Sequence, residues 1–213
     1  MTNLIILTIA SNEFQPLQDL TVPNKREYAD RWGCIVHDLV HPDGFTAFDR
    51  PKQLLTVLKS IQPNDWVWFM GADTLIMNMT IDWRSRLVEG KDLIITHDIL
   101  GINNDSFFIR HTPRAVDFLK WVIAMEGKQQ SDQEAMAALI RNHFIDAAIV
   151  NQRQFNSYLI DIYKNLPHMK PAHARNPNHD GNFQLGDFVL HFPAITLEGR
   201  LDLTKQFLGK VIR

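Results

Sequence analysis

The sequence predicts an α/β fold with a mixed central sheet flanked by helices, and three observations carry that prediction. Apolar runs of strand length recur at Asn3 to Ala10, Cys34 to Val40 and Trp66 to Met70. Helical patterns with their own start and stop signals lie between those runs, so the chain opens β-α-β-α-β, a Rossmann-like half. Apolar residues make up 45% of the 213, enough to bury a sizeable core in one domain.

The elements follow in order. Asn3 to Ala10 is a continuous apolar run, the mark of a strand buried on both faces, and it ends in the polar turn Ser11-Asn12-Glu13. A helix is expected from Pro23, with Tyr28, Ala29 and Trp32 on one face and Gly33 as its stop. After the strand Cys34 to Val40, Pro51 opens a helix carrying Leu54, Leu55, Leu58 and Ile61, closed by Pro63. Trp66 to Met70 is the third strand, followed by the turn Gly71 to Thr74 and a short apolar stretch, Leu75 to Met79. Asp92 to Thr96 and Ser106 to Arg110 read as strands. Thr112-Pro113 caps a helix to about Glu126, and Ser131 with Glu134 forms a capping box for another to about Asn142. Pro167 to Gln184 reads as a loop before strand character resumes at Asp187 to Phe192. No linker or repeat divides the chain, so one domain over 1–213 is expected, built as two halves of about 1–100 and about 101–213.

A net charge of −2 gives no field that would attract nucleic acid or an anionic membrane. A phosphate-bearing ligand would therefore need local cations, backbone amides or a metal. One cysteine, Cys34, excludes an intrachain disulfide and thiolate-rich zinc sites. Leu4 to Ala10 is too short to span a membrane and lacks the basic leader of a signal peptide, so a cytoplasmic protein with no membrane span is expected. Two sequons, at Asn78 and Asn104, are expected beside the functional site, where a glycan would obstruct it. The histidines His168, His173 and His179 have no zinc-ligand spacing and read as polar loop residues.

Ligands of α/β sheets favour the carboxyl ends of the strands, and Asp73 emerges just past one. By position alone it is either a loop cap or a functional carboxylate. No Gly-x-Gly-x-x-Gly follows the first strand, so a dinucleotide-dependent oxidoreductase has little support.

Five segments in order favour the functional reading. The strand and turn Trp66 to Asn78 resembles the hydrophobic strand and Asp-x-Asp motif of glycosyltransferase family 34. Asn24-Lys25-Arg26-Glu27-Tyr28 with Gly33 resembles that family's early helix, Asn103 to Arg110 its Asn-Thr-Gly-Ser-Phe segment, Asp132 to Ala135 its Asp-Gln-Ser-Ala helix start, and Gly186 to Phe192 its terminal strand.

The resemblance implies a GT-A fold and a retaining transferase that moves a sugar from a nucleoside diphosphate, most often UDP, to a glycan or glycoprotein acceptor. It implies Mn²⁺ or Mg²⁺ held by Asp73 and His191, a Lewis acid for the departing diphosphate. It implies that Asp132 and Gln133 face the anomeric carbon or fix sugar hydroxyls, with helix capping as the alternative. Asn104 and Asp105 resemble sugar contacts, and Ala10, Ser11, Asn12 and Ala72 are expected at the nucleotide, with Tyr28, Lys25 and Lys52 as neighbours of base or phosphate. Gly71 stands where the family has the first Asp of its motif. That departure implies weaker metal binding without nucleotide, and it also admits a catalytically silent sugar-nucleotide or glycan-binding domain. Thr196 stands where the family has a lysine, which shifts diphosphate neutralisation toward the metal or Arg200.

Overall fold

The computed structural model describes residues 2–41, 45–164, 166–167, 169–176 and 179–213. The elements are β1 (Leu4–Ser11), α1 (Gln15–Trp32), β2 (Ile35–His41), α2 (Asp49–Ser60), β3 (Trp66–Met70), β4 (Thr74–Ile76), β5 (Leu93–Asp98), β6 (Gly101–Arg110), α3 (Pro113–Ala124), α4 (Asp132–Arg141), β7 (Ala147–Asn151), β8 (Ser157–Tyr158), α5 (Ile160–Tyr163), α6 (Lys170–Arg175), β9 (Val189–His191) and α7 (Leu197–Leu208).

Six strands form a mixed sheet in the order β2-β1-β3-β6-β5-β7. β1 runs parallel to β2 and β3, β6 is antiparallel to β3 and β5, and β7 returns parallel to β5. Because β6 is inserted between β3 and β5, residues on either side of position 100 share one sheet. Alternation along β3 sends Trp66, Trp68 and Met70 into the layer with Tyr28 of α1, and Val67 and Phe69 into the layer with α2, α3 and α4. A second sheet, β4-β9-β8, stands beyond the end of β3.

Several expectations need correction. α1 starts at Gln15, with Pro16 in its first turn, and Pro23 lies inside it. Pro23 and Asp19, the residue whose carbonyl its missing N–H leaves without a helical partner, are both exposed, which lowers the cost of an interior proline. Gly33 ends the helix as expected, with φ of 66° and its N–H on Ala29 O. β6 begins at Gly101 rather than Ser106, because Asp98 Oδ1 accepts from Leu100 N and Gly101 N and ties off a hairpin that extends the strand. Only half of the capping box forms as read: Ser131 Oγ accepts from Glu134 N, while Glu134 Oε2 accepts from Gln130 N. The stretch expected as a loop contains α6, and β7, β8, α5 and α7 add to the elements expected from the sequence; Thr196 Oγ1 caps α7 by accepting from Gly199 N.

Candidate active site

The turn from β3 to β4 carries Asp73, and α1 holds that turn in place. Thr21 Oγ1 donates to Ala72 O, Lys25 Nζ to Thr74 O, and the Asn24 amide spans Ile76 O and Ile76 N. Lys25 is fully buried; burial pushes its ammonium down to about 7, against the pull of Asp73. These helix residues thus brace the strand from behind, and Lys25 has no exposure through which to meet a ligand.

β4 pairs with β9 so that Thr74 lies opposite His191. That register puts Asp73 beside the imidazole: Asp73 Oδ1 is 3.3 Å and Asp105 Oδ2 3.8 Å from His191 Nε2. His191 is fully buried, its Nδ1 lies 2.9 Å from Asn156 Oδ1, and its Nε2 makes no hydrogen bond. Burial works to lower the imidazole pKa, but Asp73 and Asp105 outweigh it and the net shift is upward. On Asp73 burial works upward, and His191 and Arg200 outweigh it, so its carboxyl is held at about 2 and is ionised at neutral pH. Arg200 Nη1 stands 3.4 Å from Asp73 Oδ2, while its buried Nε is unpartnered.

Arg50, in the first turn of α2, organises the other wall. Its Nε and Nη2 each donate to Asp132 at 2.7 Å, its Nη1 donates to Asp105 Oδ1 at 2.6 Å, and it lies over the Phe69 ring. Asn104 Nδ2 adds a 3.0 Å bond to Asp132 Oδ2. Asp132 is 1% exposed and both its oxygens are engaged, so the carboxylate expected at the anomeric carbon instead anchors Arg50. Gln133 lies one step further out, its Oε1 3.4 Å from Asn104 N.

A cavity of about 480 Å³ opens between these walls. Ala10 and Ser11 line it from the end of β1, Ala72 and Asp73 from the β3–β4 turn, and Glu13, Asp105, Arg50 and Arg200 add charged groups; Phe14, Phe45 and Phe69 contribute aromatic faces. His191 sits buried behind Asp73. Asn12 belongs to the helical turn Asn12–Phe14 and is not among the described residues lining the cavity. Two expected neighbours lie elsewhere. Tyr28 is fully buried in the opposite layer, its hydroxyl on Ile81 O and its ring against Trp68 and Phe188. Lys52 projects from α2 into ion pairs with Asp49 and Glu126. Asn104 is buried behind Asp105, which bars a glycan there, and Asn78 is not at the cavity but holds Gly186 O. His179 bonds to Gln152 Oε1, His173 lies on α6, and His168 falls outside the described residues.

Among the described residues no three His, Cys, Asp or Glu side chains are arranged to hold a metal by themselves. Asp73 and His191 do offer a carboxylate oxygen and an unpartnered imidazole nitrogen to one point, a donor pair that suits Mn²⁺ or Mg²⁺ if other ligands come from elsewhere. A Cβ at Gly71 would stand 2.8 Å from Asp73 Oδ1, so the present carboxylate rotamer depends on a glycine there. Arg50 was not legible as a site residue, since its partners lie 55 and 82 positions away.

A Rossmann-like half whose third strand delivers a carboxylate to a histidine from a second small sheet defines the class: this is a glycosyltransferase of the GT-A fold. The chain belongs to the galactosyl transferase GMA12/MNN10 family, whose profile matches residues 83–200, more than half its length. The matched stretch includes Asp105, Asp132, Gln133, His191 and Arg200, but not Asp73. Among solved structures, a glycosyltransferase involved in glycosylation of the major capsid of the virus PBCV-1 superposes with a TM-score of 0.71 at 12% identity, over 95% of this chain and 99% of that one. GlyE of Streptococcus pneumoniae TIGR4 gives 0.59 at 10% identity, over 97% of this chain and 64% of that one. The galactosyltransferase LgtC, in complex with donor and acceptor sugar analogs, gives 0.56 at 13% identity, over 98% and 96%. At such identities the likeness is one of fold. A comparison with curated proteins by sequence finds no match.

Proposed function

We propose that the chain transfers a sugar, with retention of configuration, from a UDP-sugar to a glycan acceptor, in a single domain whose first hundred residues bind nucleotide. The observation that carries this reading is the buried His191 Nε2, without a hydrogen bond, facing the ionised Asp73 across 3.3 Å. A buried imidazole nitrogen left unpaired is costly unless something completes it. Mn²⁺ or Mg²⁺ held there would act as a Lewis acid for the departing diphosphate.

The chain's own residues divide the remaining work. The nucleoside lies against the end of β1 at Ala10 and Ser11, in the aromatic part of the cavity. Arg200, whose Nε is unpartnered, turns from Asp73 to the diphosphate as charge arrives, supplying the cation that Thr196 does not. Arg50 holds Asp105 at the donor sugar through the anchor of Asp132 and Asn104, and this preorganisation removes reorganisation cost at the reacting centre. Gln133 forms part of the wall of a second cavity of about 490 Å³, lined also by His97, Leu100 and Arg141, and there we place the acceptor. A protein-linked glycan such as that of a viral capsid is an acceptor of the proposed class. No helix among the described residues is long and apolar enough to cross a membrane.

Gly71 favours one rival, a binding domain without catalysis. The two differ in acceptor-free donor hydrolysis, measured as UDP released from UDP-glucose, UDP-galactose and UDP-xylose with Mn²⁺. The proposal expects slow, metal-dependent release from at least one donor, abolished in Asp73→Ala. No release from any donor despite tight UDP binding favours the silent domain.

A further inference from the structure

Behind His191 runs a chain of buried polar side chains that no step above uses. It can be followed proton by proton. Asp98, on β5, is 4% exposed, and its Oδ2 accepts from Tyr158 Oη at 2.8 Å and from Asn103 Nδ2 at 3.0 Å. A carboxylate offers only acceptors, so the amide nitrogen of Asn103 must face it. Asn103 Oδ1 is thereby turned the other way, where it accepts from Asp105 N at 3.0 Å and Asn156 Nδ2 at 2.8 Å. Asn156 Nδ2 also donates to Thr96 Oγ1 at 2.9 Å. That leaves Asn156 Oδ1 facing His191 Nδ1, and an oxygen acceptor there requires the proton on Nδ1. Reversing both amides would set Asn103 Oδ1 against the Asp98 carboxylate and an NH₂ group against Asp105 N–H, leaving buried donors and acceptors unmade. The Tyr158 ring, 5.2 Å from that of His191 at 71°, fixes the imidazole plane.

We propose that Asn156 is a positioning residue, oriented by Asp98 through Asn103, that keeps a proton on His191 Nδ1 and so leaves Nε2, beside Asp73, as the nitrogen free to ligate when the ring is neutral. The network sets the tautomer against the pull of the Asp73 carboxylate, 3.3 Å from Nε2; its consequence for a metal rests on the function proposed above. Outer partners of a ligating histidine are worth about 10–100-fold in metal affinity.

The test reads the tautomer first. Protein labelled with ¹⁵N-histidine is studied without metal by long-range ¹H–¹⁵N correlation, at a pH where the ring is neutral, with His191 identified among nine histidines by its loss in His191→Gln. The expected result is Nδ1–H in the wild type, moving to a mixture or to Nε2–H in Asn156→Ala and in Asp98→Asn. The second variant preserves size and carries the test alone if the first does not fold. Mn²⁺ affinity in the presence of UDP, read by electron paramagnetic resonance, should fall about 10–100-fold in the same variants. An Nε2–H wild type, a tautomer unmoved by either variant, or a switched tautomer with unchanged Mn²⁺ affinity overturns the proposal. If the wild type takes up no Mn²⁺ with UDP yet the tautomer moves as expected, the proposed function fails and the tautomer assignment stands.

Discussion

Arg50 grips Asp132 through two parallel hydrogen bonds of 2.7 Å, a fork that matches guanidinium to carboxylate. The remaining amino group reaches Asp105, so one cation ties the start of α4 to the polar strand β6. The pair is nearly inaccessible, with side chains 17% and 1% exposed.

Removing the cation alone should therefore be costly. Arg50→Met leaves the buried Asp132 carboxylate uncompensated and is expected to lower stability by about 3–5 kcal/mol in a urea titration. Arg50→Lys keeps the charge but loses the fork, and should recover only part of that loss. The double variant Arg50→Met/Asp132→Leu should recover much of it. Equal stability of Arg50→Met and the wild type would contradict the anchoring role.

Lys25 gives stability a pH dependence. Its folded value of about 7 lies below the ordinary 10.5, so between those values the unfolded chain binds more protons than the folded one. Stability from this group is complete above about 10.5 and is lost as pH falls toward 7. The difference in unfolding free energy between the wild type and Lys25→Met should shift in favour of the wild type as pH rises across that range, a comparison in which the raised Cys34 thiol cancels. Identical slopes in the two proteins would show that Lys25 is not buried as a strained cation.

Burial pushes the Cys34 thiol up to about 11, with Asp82 adding to the rise and Arg84 opposing it. At pH 8 only about one thiol in a thousand would be thiolate, the reactive form. Alkylation by iodoacetamide should be slow at pH 8 and climb about tenfold per pH unit toward 11. A rate that levels off near the pKa of a free thiol, about 8.5, would contradict the burial.

The strand skeleton was legible because β1 and β3 are buried on both faces and so read as unbroken apolar runs. Asp73 was legible because it follows such a run directly. Other features depend on contacts that no local pattern encodes. Pro23 looks like a helix start, yet it is tolerated inside α1 because it faces solvent. Lys25 looks like a surface cation until β4 covers it, and Tyr28 is drawn into the layer of Trp68 by its ring, with its hydroxyl satisfied at Ile81. β7 is short and half-exposed as an edge strand, so its apolar signal is weak. Arg50 acquires meaning only when α2, α4 and β6 meet, and Asn103 and Asn156 only when β5, β6 and β9 are brought together.

Gly71 bears on how the site assembles. With one carboxylate of the turn absent, Mn²⁺ alone should bind weakly and nucleotide should strengthen it. Gly71→Asp adds a charged oxygen donor but presses its Cβ on Asp73 Oδ1 at 2.8 Å, so Asp73 must rotate to admit it. Calorimetry of Mn²⁺ without nucleotide should show tighter binding in Gly71→Asp than in the wild type. Weaker binding would mean that the present rotamer of Asp73 is the one the metal requires.

The central claim is that nucleoside diphosphate and a divalent cation are bound jointly at Asp73 and His191. It is tested most directly by calorimetric titration of UDP into the wild type and Asp73→Ala, each with and without Mn²⁺, with GDP as the nucleotide control. The account predicts tight UDP binding by the wild type only when Mn²⁺ is present, and no effect of Mn²⁺ on Asp73→Ala. UDP binding that ignores both the metal and the Asp73 substitution would contradict it.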